Sequence, residues 1–486
     1  MAGTLWMMLL RLAERSIGLV STLILARLLT PADFGLVAMA TAVLALIELM
    51  GAFGFDIVLI QRKHAERVHY DTAWTFNLLF GIATAILLIA MAVPAAGFYH
   101  EPRLTWILIA LSISALAQGF SNIGTVAFRK EMNFRKEFYF MVSKKLAAFV
   151  VTISLALTFR SYWALVGGIV TGKIVSVWIS YRIHPYRPKF TLAGRHELFH
   201  FSKWLFISNL VLLIQNKADS FILGKTVGAL GLGLYNVAGE LAALPSTELI
   251  APLNRAAFPA YAQLSSSLED LRKKFLEIFG FIALVAIPAS VGLASVADPV
   301  VRVLLGPQWV NAIPILQILA VCGLMSSLQS NLIVVITALG KPKANTLLSA
   351  TMATLYIPTV VYASLHYGTL GAAWAHLIMS ILVQIPLNIV FLRLTDLHYS
   401  LYFGTLWRPM AASLVMAVCL SALFASIISA VKFSPLLELI ISIVTGSISY
   451  VTTILVLWAI SGKPKTSAEF RIVQMARYKF RITMQP

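Results

Sequence analysis

Arg11 and Arg15 stand one helical turn apart in an otherwise apolar stretch, and Gly18 and Thr22 continue the same face. A guanidinium can grip an anion with two parallel N–H donors, so such a pair could hold a negatively charged group. Lys173 is a further isolated cation, and Asn209, Gln215, Asn216, Lys217 and Asp219 form a polar run inside another apolar stretch. The carboxylates Glu48 and Asp56, eight residues apart, are expected on roughly one side of a single helix, the second, and Asp219, Glu240 and Glu248 are their counterparts further on. A carboxyl buried in such a place can exchange a proton near neutral pH or bind Na⁺. An ionisable side chain at the middle of a bilayer costs roughly 2.5–3.5 kcal/mol on insertion scales, which makes every inward-facing one a functional candidate.

Each candidate also has a structural reading. Glu14, three residues after Arg11 and beside Arg15, could form an ion pair with them, and Lys173 could snorkel its amine to the headgroups. Arg27 and Lys225 fall at helix ends, where anchoring is the usual role. Lys217 and Asp219 are two apart and point to different faces, so they do not make a simple pair. Asp56, five residues before Gln61, reads better as a hydrated helix-end carboxylate, which leaves Glu48 and Glu240 as the stronger coupling candidates. His376 reads as a packing residue or a proton site.

The elements that must position these residues are membrane-spanning helices. Apolar runs recur from about residue 20 to about residue 448, enough for about fourteen helices of the roughly 20 residues that a hydrocarbon layer needs. The composition is 59% hydrophobic and 12% charged, with a mean hydropathy of +0.85, which fits an all-α polytopic membrane protein and no soluble fold of this length. Basic residues gather in every second turn: Arg62, Lys63 and Arg67, then Arg129 to Lys145, then Arg182 to Arg195, then Arg255 to Lys274. By the positive-inside bias both termini are expected in the cytoplasm. The net charge of +18 then answers to anionic lipid headgroups, and nucleic acid is set aside.

The loops, the longest near 185–198 and 256–275, are too short for a catalytic domain, and no phosphate loop, Asp-x-Asp pair or His-Glu-x-x-His is present, so no enzyme, cofactor or metal is expected. Cys322 and Cys419 sit within apolar runs and read as packing residues. Leu25-Ala26-Arg27 with Gly35-Leu36 and Ala40 returns, 198 positions later, as Leu223-Gly224-Lys225 with Gly233-Leu234 and Ala238, and Ser121-Asn122 is echoed faintly by Ser330-Asn331. The repeat suggests two six-helix lobes, 1–195 and 196–398, related by a pseudo-twofold axis along the membrane normal. Two further helices, 399–462, and a basic cytoplasmic tail, 463–486, follow.

Several segments together resemble one family: Leu25 to Pro31 with Asp33-Phe34-Gly35, Leu59 to Lys63, Phe128 to Phe134, Ile222 to Lys225 running to Tyr235, Phe258-Pro259-Ala260, and Gly306-Pro307-Gln308-Trp309. They look like the lipopolysaccharide and exopolysaccharide flippases, the Wzx-type exporters of the multidrug, oligosaccharidyl-lipid and polysaccharide transporter superfamily. The resemblance, over about residues 5–400, implies a bacterial inner-membrane flippase that turns a polyprenyl-diphosphate-linked oligosaccharide to the periplasmic leaflet by alternating access, among membrane lipids and with possible H⁺ or Na⁺ coupling. Other polysaccharide-assembly proteins are possible partners. On that reading Arg11, Arg15, Lys173, Asn209, Gln215, Asn216, Lys217 and Asp219 are the diphosphate and glycan candidates, and Glu48, Glu240 and Asp56 the coupling candidates. Two other classes stay open: a drug or cation antiporter of the same superfamily, which would want an acidic and aromatic cavity, and a glycan polymerase, which would want a long periplasmic loop.

Overall fold

The structure, a computed structural model, describes residues 2–51, 54–61, 65–428, 433–464, 468–471 and 474. Helices make up most of the described residues, with no strand among them. The chain forms two compact units, Met1–Gly233 and Leu234–Pro486.

Ten helices among the described residues are long and apolar enough to cross a membrane, or eleven if the bent pair Arg103–Gly119 and Ile123–Lys130 counts as one span. The chain is thus a multi-pass membrane protein. The expected count of about fourteen is not confirmed by length and hydropathy. Two of the ten, Lys217–Gln263 and Thr354–Thr395, run 47 and 42 residues, about twice the length of one crossing. Each contains a glycine in the left-handed region, Gly228 at φ 72° and Gly368 at φ 63°, where a side chain would be strained and the helix breaks.

The first unit contains α1 (Ala2–Leu28), α2 (Pro31–Glu48), α3 (Phe55–Gln61), α4 (Arg67–Tyr99), α5 (Arg103–Gly119), α6 (Ala127–Lys130), α7 (Phe134–Phe159), α8 (Trp163–Ile183) and the first part of α9 (Arg195–Ala242). Thr30 caps α2: its hydroxyl accepts from the Asp33 N–H, while Asp33 Oδ2 accepts from the Thr30 N–H at 2.9 Å. Asp33 Oδ1 accepts from the Tyr162 N–H at 3.1 Å, so one side chain fixes both the start of α2 and the start of α8. Small residues let helices close in. A Cβ on Gly81 of α4 would lie 2.8 Å from the Cα of Gly119 on α5, and α7 and α8 meet where Gly168 backs onto Thr152. The two repeat glycines face each other: a methyl on Gly35 would overlap the Ala229 carbonyl, and one on Gly233 the Pro31 carbonyl.

The second unit holds the end of α9, then α10 (Ala251–Gln263), α11 (Leu268–Ser295), α12 (Ala297–Leu304), α13 (Ile313–Ala338), α14 (Pro342–Thr395), α15 (Tyr399–Leu423) and α16 (Pro435–Ile460). The expected loop at 256–275 is mostly helix, because Ser267 accepts from the Asp270 N–H and starts α11 four residues after α10 closes. Phe275, Phe279, Phe391 and Tyr402 stack in the core. Asn254 Nδ2 donates to Ser330 Oγ at 2.7 Å and Asn331 Nδ2 donates to Asn254 Oδ1 at 2.7 Å, which closes a polar pair inside the helix packing.

Glu48 and Asp56 do not share a helix, contrary to the expectation from their spacing. α2 ends at Glu48, a 3₁₀ turn covers Leu49–Gly51, and α3 starts at Phe55 after Gly54 at φ 64°. Arg62, Lys63 and most basic residues of the tail lie outside the described residues.

Candidate functional site: a charged cavity in the first unit

A cavity of about 600 Å³ opens among the helices α2 to α9 of the first unit, within the roughly 300–1,000 Å³ typical of small-molecule sites. Three cations line it, Arg129, Lys144 and Lys173, and three carboxylates, Glu48, Asp56 and Glu137. The rest of its polar wall is amide and hydroxyl, from Asn77, Gln118, Ser121, Ser176 and Asn209 among others.

The cations reach deep into the bundle. Lys173 is the midpoint of α8, and Lys144 stands ten residues into α7, about 15 Å along its axis at 1.5 Å per residue. Lys173 Nζ donates to Gln118 Oε1 at 3.2 Å, and Glu48 is within electrostatic reach of Lys173. Lys144 is within reach of Glu14 and Glu137, and also of Lys173 and Arg129. Arg129 Nε donates to Glu137 Oε1 at 2.6 Å, while its Nη1 is 3.9 Å from Asp56 Oδ2. Glu137 is 5% exposed, and its Oε2 has no hydrogen-bond partner among the described residues.

A docked segment borders the cavity. Residues 184–194, which join α8 to α9, lie along the start of α4. Asp71 Oδ1 accepts from the Tyr186 hydroxyl at 2.7 Å and from the Lys189 N–H at 2.9 Å. Thr75 Oγ1 accepts from the Thr191 N–H at 3.1 Å, and Thr72 Oγ1 from the Gly194 N–H at 3.2 Å. Asn122, whose side chain lines the cavity, donates from Nδ2 to the Tyr186 carbonyl at 2.9 Å. His184 Nδ1 accepts from the Tyr186 N–H at 3.1 Å, and burial lowers the pKa of this imidazole. Burial, with the Asp71 carboxylate beside it, raises that of the Tyr186 hydroxyl.

The residues singled out by their type and spacing scatter around this frame. Lys173, Glu48, Asp56 and Asn209 come together in the cavity wall. Arg11 and Arg15 are exposed on α1 and do not line the cavity, and Lys217 and Asp219 are half-buried on α9, also outside its wall. Glu240 is exposed and belongs to the second unit. The side chains of Gln215 and Asn216 lie outside the described residues. His376 Nδ1 sits 3.0 Å from the hydroxyls of both Tyr235 and Tyr356, in the second unit.

Arg129, Glu137 and Lys144 register in the sequence only as part of a basic turn or not at all. The available signal is the seven-residue spacing of Glu137 and Lys144, two turns on one helix face. The motif residues turn out to be structural supports: Phe128 is buried beside Arg129, Asn133 caps α7, Gly306 takes φ 107°, and Trp309 is fully buried.

A family model described as polysaccharide biosynthesis protein matches residues 24–314. The lipopolysaccharide biosynthesis protein WzxC of Escherichia coli K12 is 25% identical over 431 residues, 87% of each chain. The teichuronic acid biosynthesis protein TuaB of Bacillus subtilis 168 is 26% identical over 430 residues, 86% of this chain and 87% of that one. Among solved structures, the lipid II flippase MurJ in an inward closed conformation covers 93% of this chain and 99% of its own at a TM-score of 0.75 and 14% identity, a likeness of fold. Because the matched segment takes in more than half of the sequence, and the cavity with all but a few of its neighbours lies inside that segment, the chain belongs to the polysaccharide biosynthesis protein family.

Proposed function

We propose that this chain is a flippase, not an enzyme, which carries a polyprenyl-diphosphate-linked oligosaccharide from the cytoplasmic to the periplasmic leaflet of a bacterial inner membrane by alternating access of two lobes. The observation that carries the reading is the polar cavity with Lys144 and Lys173 midway along their helices. Charged side chains at that depth are costly unless they face water or a polar cargo. The family and the two named relatives, one of lipopolysaccharide and one of teichuronic acid biosynthesis, point to a glycan as that cargo. The fold shared with a lipid II flippase is one on which a lipid-linked sugar can be moved.

In this reading the lobes are 1–195 and 196–398, the helices of 399–462 lie outside the repeat, and both termini face the cytoplasm. Arg11 and Arg15, exposed on α1, take the diphosphate, and Lys173 and Asn209 meet the glycan. Glu48, beside Lys173, and Glu240 are the proposed H⁺ or Na⁺ exchangers, while Asp56 serves Arg129 instead. Deleting the gene in its host should abolish one surface polysaccharide and leave its lipid-linked precursor in the cytoplasmic leaflet. Loss of the polysaccharide without precursor build-up would place the chain elsewhere in the process.

A further inference from the structure

We infer that the cavity of the first unit accepts an uncharged, hydroxyl-rich sugar group and rejects an acidic one, with the Arg129–Glu137 pair setting that selectivity. The inference rests on the flippase reading and names which part of the cargo enters this cavity and which chemistry it must have.

The wall carries three cations and three carboxylates, and they are interleaved rather than segregated. Arg129 is engaged by Glu137 at 2.6 Å and faces Asp56 at 3.9 Å. Lys173 donates to Gln118 and has Glu48 within electrostatic reach, and Lys144 has Glu137 and Glu14 within reach as well as Lys173 and Arg129. An entering anion would meet no surplus positive charge. To pair with Arg129 it would have to displace Glu137, and a buried carboxylate stripped of its partner is strongly disfavoured.

Glu137 sharpens the contrast. It is buried, and its Oε2 has no hydrogen-bond partner among the described residues, so the wall beside Arg129 has an acceptor to spare that a sugar hydroxyl can satisfy and a carboxylate cannot. Asn77, Gln118, Ser121, Ser176 and Asn209 add groups that donate as well as accept, which is what a ring of sugar hydroxyls requires. The diphosphate, with its formal negative charge, is left outside, where Arg11 and Arg15 are exposed on α1.

The test uses the full-length protein in proteoliposomes at zero membrane potential, with three cargoes on one polyprenyl diphosphate: a neutral hexose disaccharide, the same disaccharide with one hexose replaced by its uronic acid, and no sugar. The wild type should flip the neutral cargo about tenfold faster than the acidic one, the factor that 1.4 kcal/mol of discrimination gives. Glu137→Gln, which leaves an oxygen to accept from Arg129 but removes the charge, should raise the acidic rate and shrink that ratio to about threefold or less. Asp56→Asn, at a half-exposed position that tolerates change, should shift the ratio in the same direction. An acidic cargo flipped as fast as the neutral one by the wild type would overturn the inference and leave the flippase reading standing. No cargo flipped above protein-free vesicles would overturn the flippase reading itself.

Discussion

Asp71 is 5% exposed, yet it holds a backbone N–H and a phenol hydroxyl of a segment more than a hundred residues away, with Arg67 Nε 3.6 Å from its other oxygen. With Thr72 and Thr75 it lines one side of α4 with acceptors, so the connection from α8 to α9 is fixed hydrogen bond by hydrogen bond. Asp71→Ala would strand the Lys189 N–H and leave the Tyr186 hydroxyl only the Arg67 carbonyl, and should cost about 2 kcal/mol. His184 adds a pH dependence to the same segment. Its pKa is lowered by burial, against a smaller opposing pull from Glu131, so the folded state favours the neutral ring, which alone can accept from the Tyr186 N–H. The stability that this group contributes is therefore complete above its unfolded pKa of about 6.5 and is lost as pH falls below that toward the lower folded value. The protection factors of the 186–194 amides, corrected for the intrinsic slowing of exchange in acid, should fall between pH 7.5 and 5.5 by the equivalent of about 1 kcal/mol. His184→Asn, whose amide oxygen can accept from the N–H two residues on at any pH, should flatten that response. An unchanged response in the variant would assign the acid effect to another group. None of these residues stands out in the sequence, because a lone Asp or Thr near a helix start has no partner until the fold brings residues 184–194 beside it. Arg11 and Arg15 stand out for the opposite reason, an unusual type in an apolar run, and they sit on the outside of α1.

At the scale of elements, the repeat is legible in the sequence and its purpose is not. Pro31 and Ala229, like Gly35 and Gly233, stand 198 positions apart, and the contact they make is reciprocal: each glycine sits against the carbonyl four residues before the other. Sequence supplies the offset, but only the backbone shows that both glycines are needed for one close approach. Gly35→Ala should force the two segments apart and cost about 1–3 kcal/mol, read as a lower melting midpoint in detergent and less protein in the membrane. Gly97→Ala, where a Cβ meets no atom within 4 Å, is the control and should leave both unchanged. Equal midpoints for the two variants would mean that the close approach relaxes freely. The capping of α2 by Thr30 and Asp33 is likewise written in the Thr-Pro-x-Asp pattern. The break between Glu48 and Asp56 is hidden, since Gly51 and Gly54 look no different from the glycines that helices elsewhere in this chain tolerate, and only Gly54 takes a positive φ.

For the molecule as a whole, class and fold are readable because a bilayer imposes long apolar runs and alternating charge, and few soluble folds share that signature. The number of crossings is less readable, since Gly228 and Gly368 break continuous helical runs in ways that hydropathy averages over. The cavity is half legible: Glu48, Asp56, Lys173 and Asn209 stand out by type and place, while Arg129, Glu137 and Lys144 are absorbed into a basic turn. Charge counted by turn gives an expected side of the membrane and says nothing of whether a residue points to lipid headgroups or into the protein. The central claim is that this cavity serves the transbilayer movement of a lipid-linked glycan. Its most direct measurement is the flipping of a fluorescent polyprenyl-diphosphate disaccharide by purified protein in vesicles, followed as the loss of cargo accessible to an impermeant quencher. The expected result is flipping well above protein-free vesicles, reduced about tenfold or more when Lys144 and Lys173 are both replaced by Gln in protein that still folds. Flipping at the wild-type rate by that double variant would contradict the claim.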